Sequence, residues 1–287
     1  MVDYQWYPGH MTKAVRAMRE DMKLIDLVIE ITDARIPLSS RNPDIDSLAS
    51  GKARIMVLGK ADLADPDVNR QWKDYFEANG TYVISGDARN KTIARQMVPL
   101  IEKACEKKRE RDRTRGILNR PVRAMVCGIP NVGKSTLINS MAGRASAKTG
   151  NKPGVTRGKQ WIRLKGQVEL LDTPGLLWPK FEDPKVGLHL AMIGSIRDEI
   201  LESEKLACEL LALLGERYPG CVQERYRIDP DDGALSMPSL LERIALATGC
   251  LLKGEEPDTG RCARRVIDDF RKGKFGKISL EIPTFTN

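Results

Sequence analysis

The sequence has few aromatic side chains, and it lacks long apolar runs. Only five Phe and six Tyr occur among 287 residues, and no aromatic RNA-recognition consensus is present, so RNA recognition by base stacking is not expected. No segment approaches the roughly 18 uninterrupted apolar residues of a membrane-spanning helix. Residues 1–5 resemble neither a signal peptide nor a transit segment. We therefore expect a cytoplasmic protein with no membrane partner.

Paired cysteines are also missing. The six cysteines are scattered without a CxxC pair, which argues against a disulfide scaffold or a zinc finger. We expect reduced, mostly buried thiols at Cys105, Cys127, Cys208, Cys221, Cys250 and Cys262.

Positive charge is in excess. Lys and Arg number 47 against 39 Asp and Glu, which gives a net charge of +8 and a pI of about 9.2. This balance favours a polyanionic partner. Residues 261–287 carry seven cations against three acidic residues, and the arginines are expected on the outer face of a helix, although an ordinary solvated face remains an alternative. The cations are Arg261, Arg264, Arg265, Arg271, Lys272, Lys274 and Lys277.

Short apolar runs separated by helical stretches predict an α/β sheet in the first part of the chain. The predicted strands are Leu27–Ile31, Ile55–Leu58, Tyr82–Ile84, Val122–Cys127, Trp161–Leu164 and Val168–Leu171. Further along, apolar residues recur at helical spacing. We predict an α/β domain over residues 1–180 and a basic, all-helical domain over 181–287.

The best-defined motif is Gly128–Ser135, which matches GxxxxGK followed by Ser and lies between an apolar strand and a segment that can open a helix. Amide groups of such a loop cradle phosphates, Lys134 reaches the β and γ oxygens, and Ser135 coordinates Mg²⁺. The nucleotide-binding residues predicted here are Asn131, Val132, Gly133, Lys134, Ser135 and Thr136.

A second element, Asp172-Thr173-Pro174-Gly175, follows the last predicted strand. Asp172 can reach Mg²⁺ from the strand end, and the Gly175 amide can meet a γ-phosphate. Between the two motifs, Thr156 lies in a segment rich in Gly and cations, which suits a loop that closes on Mg²⁺ when a γ-phosphate is bound.

Guanine presents N1–H and N2–H₂ donors that one carboxylate can accept together. GTPases supply this carboxylate from an Asn-Lys-x-Asp motif, and here Gly59-Lys60-Ala61-Asp62 follows a strand, with Gly59 in place of Asn. A charged hydrogen bond contributes more than a neutral one, so guanine preference is expected to survive. Ser85-Gly86-Asp87 follows the next strand, with Asp87 in place of the Lys of the usual Ser-Ala-Lys element, and the Gly86 amide is placed to serve guanine O6. Residues 85–89 can also be read as a plain turn.

Ras-like GTPases carry five motifs, G1 to G5, in that order along the chain. Here the base-reading segments, G4 and G5, precede the phosphate loop, G1, so the motif order is G4-G5-G1-G2-G3. The chain is therefore predicted to contain a circularly permuted Ras-like P-loop GTPase domain. It resembles the circularly permuted GTPases of the YlqF/RbgA type. The resemblance rests on residues 6–11, 33–37, 59–62, 128–136, 153–156 and 172–175.

The resemblance implies a Mg²⁺-dependent GTPase that binds GTP and GDP and contacts rRNA and proteins of the large ribosomal subunit late in its assembly. It also implies that His10 assists hydrolysis. Leu176 stands where Ras-like enzymes have the Gln that orients water. Asn131 resembles the residue of GTPases that recruit K⁺. A monomer is expected.

Two other functions remain open from the residues alone. Gly59 and Asp87 would suit a constitutive RNA-binding assembly factor with a degraded nucleotide site, whereas Lys134, Ser135, Thr156 and Asp172 argue against it. The second alternative is an ATPase with relaxed base choice.

Overall fold

The computed structural model describes residues 9–143, 160–164, 167–173, 175, 177–178, 181–196, 202–229, 231 and 235–284. Side chains are described for these residues except 9–15, 91 and 160. The strands are β1 Leu27–Asp33, β2 Ala53–Gly59, β3 Tyr82–Gly86, β4 Val122–Cys127, β5 Gln160–Leu164 and β6 Val168–Asp172. All six predicted strands are confirmed.

The helices of the first part of the chain are α1 Gly9–Met22, α2 Asp44–Leu48, α3 Pro66–Ala78, α4 Lys91–Ala104, α5 Glu106–Thr114 and α6 Lys134–Ala142. Those that follow are α7 Pro184–Met192, α8 Ser203–Arg217, α9 Cys221–Tyr226, α10 Met237–Ala247 and α11 Thr259–Arg271. Among the described residues, no helix is long and apolar enough to span a membrane.

The strands form one sheet in the order β3-β2-β1-β4-β6-β5. Neighbouring strands are parallel except β5, which runs antiparallel to β6. Strand β4, which precedes the phosphate loop, pairs with β1 on one side and β6 on the other. Strands that come earlier in the chain thus complete one side of the sheet, as the permuted motif order predicts.

Two apolar clusters pack against this sheet. Met18 and Met22 of α1, and Ile25 just after it, pack with buried residues of β1, β4 and β6, as the methionine spacing of this helix suggests. Trp72 of α3 is fully buried in the second cluster. The helical period of the sequence therefore marks which helix faces contact the sheet.

The chain divides into two compact units, a first unit of Met1–Val186 with Glu281–Asn287, and a second unit of Gly187–Leu280. The division lies close to the one expected at residue 180, but the segment from Glu281 returns to the first unit. Glu281 accepts hydrogen bonds there from the Leu38 amide at 2.8 Å and from the amide and hydroxyl of Ser39. The Trp72 indole donates to the Glu281 carbonyl oxygen at 3.1 Å.

The second unit is helical in its described residues apart from an isolated bridge between Leu251 and Pro257. In α11, Arg261, Arg264 and Arg265 are exposed, as expected. The expectation is wrong for Arg271, which donates to the carbonyl oxygens of Ala191 at 2.7 Å and Met192 at 3.0 Å. These carbonyls end α7, where a helix leaves acceptors unpaired, so this arginine serves packing within the unit.

All six cysteines are free thiols, and four of them are buried. Burial raises the pKa of Cys127 and Cys262, which keeps both protonated at neutral pH. The expectation of reduced, mostly buried thiols agrees with this arrangement.

Candidate functional site

The predicted site residues lie where parallel strands end. The phosphate loop, Gly128–Ser135, follows β4, and Asp172 ends β6. The first base loop, Gly59–Asp62, begins at the end of β2, and the second base loop, Ser85–Arg89, begins at the end of β3. The carboxyl ends of parallel strands share one edge of a sheet, which is where α/β proteins bind ligands.

The backbone of the phosphate loop requires the residue types found there. Gly128 has φ of 149°, and an added Cβ would collide with the Ile31 carbonyl oxygen of β1. Gly133 has φ of 102° and directly precedes Lys134, the first residue of α6. Asn131 also has a positive φ of 63°. This conformation is typical of loops whose amides turn inward around an anion, and the helix N-terminus adds to that preference.

Lys134 and Asp172 are both buried at the mouth of this loop. Burial lowers the pKa of Lys134 to about 8, and the nearby Asp172 carboxylate opposes the shift. Burial likewise raises the pKa of Asp172, while Lys134 acts in the opposite direction. The Lys134 ammonium donates to the Ile129 carbonyl oxygen at 2.7 Å. An incoming phosphate would offer this ammonium a stronger, charged acceptor.

Asp172 carries a polar atom that points to a ligand. Its side chain is 2% exposed, and its Oδ1 has no hydrogen-bond partner among the described residues. Next to it, the Thr173 hydroxyl donates to the Val126 carbonyl oxygen of β4 at 2.8 Å, which fixes the end of β6 beside the phosphate loop. A buried carboxylate oxygen without a partner fits a hard cation such as Mg²⁺, which prefers oxygen donors.

Gly175 contacts the phosphate loop so closely that no side chain fits. A Cβ at this position would lie 2.8 Å from the Pro130 Cα and N atoms and 2.8 Å from the Lys134 Nζ. The element after β6 and the phosphate loop are therefore brought together, as the sequence predicts.

In the first base loop, the surroundings of Gly59 are tight for the Asn expected there. A Cβ would lie 3.1 Å from the Thr32 carbonyl oxygen and 3.2 Å from the Ile31 Cδ1 atom. Lys60 adopts a left-handed conformation with φ of 55°, and its ammonium lies 3.0 Å from an Asp33 carboxylate oxygen. The Asp62 carboxylate is partly exposed, which leaves it accessible to a ligand.

The second base loop contacts both the first base loop and the phosphate loop. Arg89 pairs with Asp87 at 2.8 Å and donates to the Asp62 carboxylate at 3.0 Å. A Cβ on Gly133 would lie 3.8 Å from the Ala88 Cβ. Residues from segments far apart in sequence thus surround one region.

Other positions of these loops differ in exposure. Ser85 is exposed, and Gly86 is half-buried with its carbonyl oxygen accepting from the Ala61 amide at 3.4 Å. In the phosphate loop Val132 is buried, so it presents its backbone, while Ser135 and Thr136 are half-buried at the start of α6.

The catalytic and switch residues predicted from the sequence are not placed by these contacts. Thr156 and Leu176 lie outside the described residues, and His10 lies in α1 with its side chain outside the described part. His189, the other histidine, is buried in α7 of the second unit.

Three residues of the site were not assigned roles from the sequence. Asp33 and Arg35, although part of a recognised segment, form a buried ion pair beside Lys60, and Arg89 joins the two base loops. One sequence signal could have identified Asp33 and Arg35. Charged residues directly after an apolar strand run are positioned at the ligand-binding edge of the sheet.

Comparison with known proteins identifies the family. A family model described as 50S ribosome-binding GTPase matches residues 123–217. Ribosome biogenesis GTPase A of Bacillus licheniformis is 44% identical over 279 residues, which cover 97% of this chain and 98% of the relative. The chain belongs to the ribosome biogenesis GTPase A family. It is therefore a GTPase that acts in ribosome assembly, and the resemblance found in the sequence is confirmed.

Solved structures agree with the fold. The GNP-bound YlqF from T. maritima has a TM-score of 0.65 at 27% identity, covering 94% of this chain and 98% of that chain. The GDP-bound TM YlqF has a TM-score of 0.67 at 25% identity, covering 93% of this chain and 99% of that chain. The match extends over nearly the whole of both chains, so the circularly permuted fold of ribosome biogenesis GTPase A is confirmed.

Proposed function

We propose that this GTPase acts late in the maturation of the large (50S) ribosomal subunit, and that its GTP and GDP states control binding and release. The observation that supports the proposal is the convergence of the phosphate loop, Asp172, Gly175 and both base loops at one edge of the sheet. In this proposal the site responds to a γ-phosphate because the Gly175 amide contacts only that group of the nucleotide.

Each nucleotide group has an assigned partner in this proposal. The amides of Asn131–Thr136 and the Lys134 ammonium bind the phosphates, and the Gly175 amide meets the γ-phosphate. Asp62 accepts the guanine N1–H and N2–H₂ donors. The remaining base contacts come from Gly59, Lys60, Ser85 and Gly86, with the Gly86 amide serving O6. Competition of labelled GDP by ADP tests the base assignment, because adenine lacks the paired donors.

The proposed metal ligands are Ser135, Thr156 and Asp172. The family generally uses Mg²⁺, which, when bound, neutralises charge on the β and γ oxygens. The unpartnered Oδ1 of Asp172 is the feature of this chain that fits the ion. Asp172→Asn should therefore weaken nucleotide binding in Mg²⁺ more than in EDTA, measured by displacement of a fluorescent GDP.

His10 is the proposed group that orients the attacking water, since leucine at 176 has no hydrogen-bonding group. The neutral form of an imidazole carries a ring nitrogen that can accept a proton from water. His10→Ala should slow stimulated GTP hydrolysis and leave GDP affinity nearly unchanged. Unaltered turnover would remove His10 from the mechanism.

K⁺ is the proposed monovalent cofactor, at Asn131 in the phosphate loop. A cation at that place would offset γ-phosphate charge in the way an arginine finger does. Turnover in KCl should then exceed turnover in NaCl, whereas equal rates would argue against the ion.

The proposed partner surface is the basic face of the second unit. Arg261, Arg264, Lys274 and Lys277 are exposed there, and such cations bind RNA phosphates with strong salt dependence and weak sequence preference. The proposal keeps the expected monomer and the cytoplasmic location, because an assembly factor works where ribosomes are made.

Co-sedimentation with large-subunit precursors tests the whole proposal. Binding should be stronger with a non-hydrolysable GTP analogue than with GDP, and phosphate release should rise when subunits are added. Arg261→Gln with Arg264→Gln should weaken binding, whereas the matched double change Arg70→Gln with Lys73→Gln, at exposed positions of α3, should not. Nucleotide-independent binding without stimulated hydrolysis would instead favour a constitutive RNA-binding factor.

A further inference from the structure

The segment Asp33-Ala34-Arg35 at the end of β1 has no role in the nucleotide contacts described above. Asp33 is 0% exposed and Arg35 is 1% exposed. The guanidinium of Arg35 donates to both carboxylate oxygens of Asp33, at 2.9 Å and 2.8 Å. Bidentate pairs of this type are the strongest geometry available to arginine and a carboxylate.

Lys60 is the second partner of the Asp33 carboxylate. Its ammonium lies 3.0 Å from the oxygen that also contacts Arg35, and its side chain is 29% exposed. The buried pair of Asp33 and Arg35 is neutral as a whole, so Lys60 leaves one positive charge at the open edge of the sheet. That edge carries the proposed site for an anionic nucleotide.

The position of Asp33 relative to Gly59 suggests what this contact replaces. The parallel register of β1 and β2 sets Asp33 opposite Gly59, which stands where GTPases of this type have Asn. The Gly59 backbone lies against β1 too closely for an Asn side chain to be accommodated without a shift of the neighbouring strand. The first base loop therefore lacks its usual side-chain anchor and has the Asp33–Lys60 ion pair beside it.

We infer that Asp33, held by Arg35, is a positioning residue for guanine recognition: its buried carboxylate fixes Lys60 and so orients the Gly59–Asp62 loop in place of the missing Asn. The inference rests on the proposed role of Asp62 in reading the base. Asp33 itself touches neither the base nor the phosphates in this account.

Electrostatics supports a permanently ionised anchor. Burial alone would raise the pKa of Asp33, but Arg35 and Lys60 outweigh it and hold that pKa well below its usual range. The Asp33 carboxylate is costly to separate from Arg35, because two unbalanced buried charges would be left, and the half-buried Lys60 adds a charge-assisted hydrogen bond to the same carboxylate. The left-handed conformation of Lys60 is a further sign that its surroundings hold it in place.

The other ion pair of this loop is weaker. Arg89 is 71% exposed where it meets Asp62, and exposed ion pairs contribute little because water screens them. Of these two ion pairs, the one between Asp33 and Lys60 is therefore expected to contribute more to the geometry of the loop.

The test uses the full chain and measures Kd for GDP and for ADP by displacement of a fluorescent nucleotide. The double variant Asp33→Asn with Arg35→Gln replaces the buried ion pair by two amides and leaves no unpaired buried charge. GDP affinity should fall about tenfold, the loss of one charged hydrogen bond, while ADP affinity should change little. Unchanged selectivity between GDP and ADP would overturn the inference.

A double-mutant cycle separates positioning from general damage. Lys60→Met should weaken GDP binding, and adding Asp33→Asn with Arg35→Gln should then cause less than a twofold further loss, since both changes remove the same contact. If the fold-losses of GDP affinity from the two sets of substitutions multiply in the combined variant, the inference is contradicted. The control is Asp269→Asn with Arg225→Gln, which makes the same substitutions in a partly buried ion pair of the second unit, at 2.8 Å and 3.0 Å, and should leave nucleotide selectivity intact.

Two further variants cover failure of the double variant to fold and test the base site separately. If the double variant does not fold, Asp33→Glu keeps every charge and displaces the carboxylate by one methylene; selectivity should still fall several-fold, and wild-type selectivity would again overturn the inference. Asp62→Ala tests the proposed base site by itself. Retained guanine preference in that variant would refute the base assignment, whereas its loss together with normal selectivity in the Asp33 variants would refute only the positioning role.

Discussion

The contact between Gly175 and the phosphate loop predicts a strong effect of adding one methyl group. In Gly175→Ala, the new Cβ would start 2.8 Å from two backbone atoms of Pro130 and from the Lys134 ammonium. The lysine can move, but the Pro130 backbone cannot move without shifting the loop. The substitution should therefore push the phosphate loop and the segment after β6 apart.

The expected magnitude follows from overpacking. Added carbon atoms in a packed site destabilise proteins by about 1–3 kcal/mol, so the first unit should unfold at a lower denaturant concentration. The proposed γ-phosphate contact of the Gly175 amide would be displaced as well. GTP turnover should fall about tenfold or more, which corresponds to about 1.4 kcal/mol in the barrier, and GDP affinity should change less.

The assay can report on the first unit alone. All four tryptophans, Trp6, Trp72, Trp161 and Trp178, belong to it, so tryptophan fluorescence follows its unfolding in urea. Gly215→Ala is the matched control, because Gly215 is an exposed position of α8 with nothing near an added Cβ. It should leave the fluorescence transition unchanged and favour the helix by up to about 1 kcal/mol. Wild-type stability and turnover in Gly175→Ala would refute this reasoning.

The remaining predictions concern pH, the missing Asn and the C-terminal segment. Lys134 has a pKa of about 8 in the folded protein, against 10.5 ordinarily. Between pH 8 and pH 10.5 the folded protein therefore binds fewer protons than the unfolded chain, so the urea concentration at the unfolding midpoint should rise with pH. Lys134→Met should abolish this rise. Gly59→Asn should lower stability without improving GDP affinity, since its Cβ crowds Thr32; tighter GDP binding would contradict that account. Glu281→Ala removes the carboxylate that accepts from the Leu38 and Ser39 amides, and should lower the stability of the first unit by about 2 kcal/mol, read from the same fluorescence transition; an unchanged midpoint would mean that these side-chain hydrogen bonds add nothing.

The central strands of the sheet could be predicted from the sequence because they are almost fully buried. Such strands read as largely apolar runs, as in Ile55–Leu58, and β1, β2, β4 and β6 are each followed by residues that carry the proposed chemistry. The order of the motifs then gave the permutation, and the glycines at 128 and 133 gave the phosphate loop. These are local signals, readable within a few residues.

The partners of the charged side chains could not be predicted in the same way. Asp33 and Lys60 are 27 residues apart, Leu38 and Glu281 are 243 apart, and nothing local links either pair. Arg271 shows the same difficulty, since spacing alone placed it on an exposed face. Its real partners are the last carbonyl oxygens of a helix near the start of the same unit.

The two departures from the expected GTPase motifs have different meanings in the sequence and in the structure. Taken alone, Gly59 and Asp87 suggest a base site that has lost its function. In the structure an ion pair lies beside each departure. A buried carboxylate from β1 reaches Lys60 next to Gly59, and Asp87, which stands where a lysine is expected, pairs with Arg89, which also contacts Asp62. The two base loops therefore keep side-chain contacts although the motif residues differ. The paired contacts therefore favour a working guanine site whose side chains come from other positions than the motif specifies.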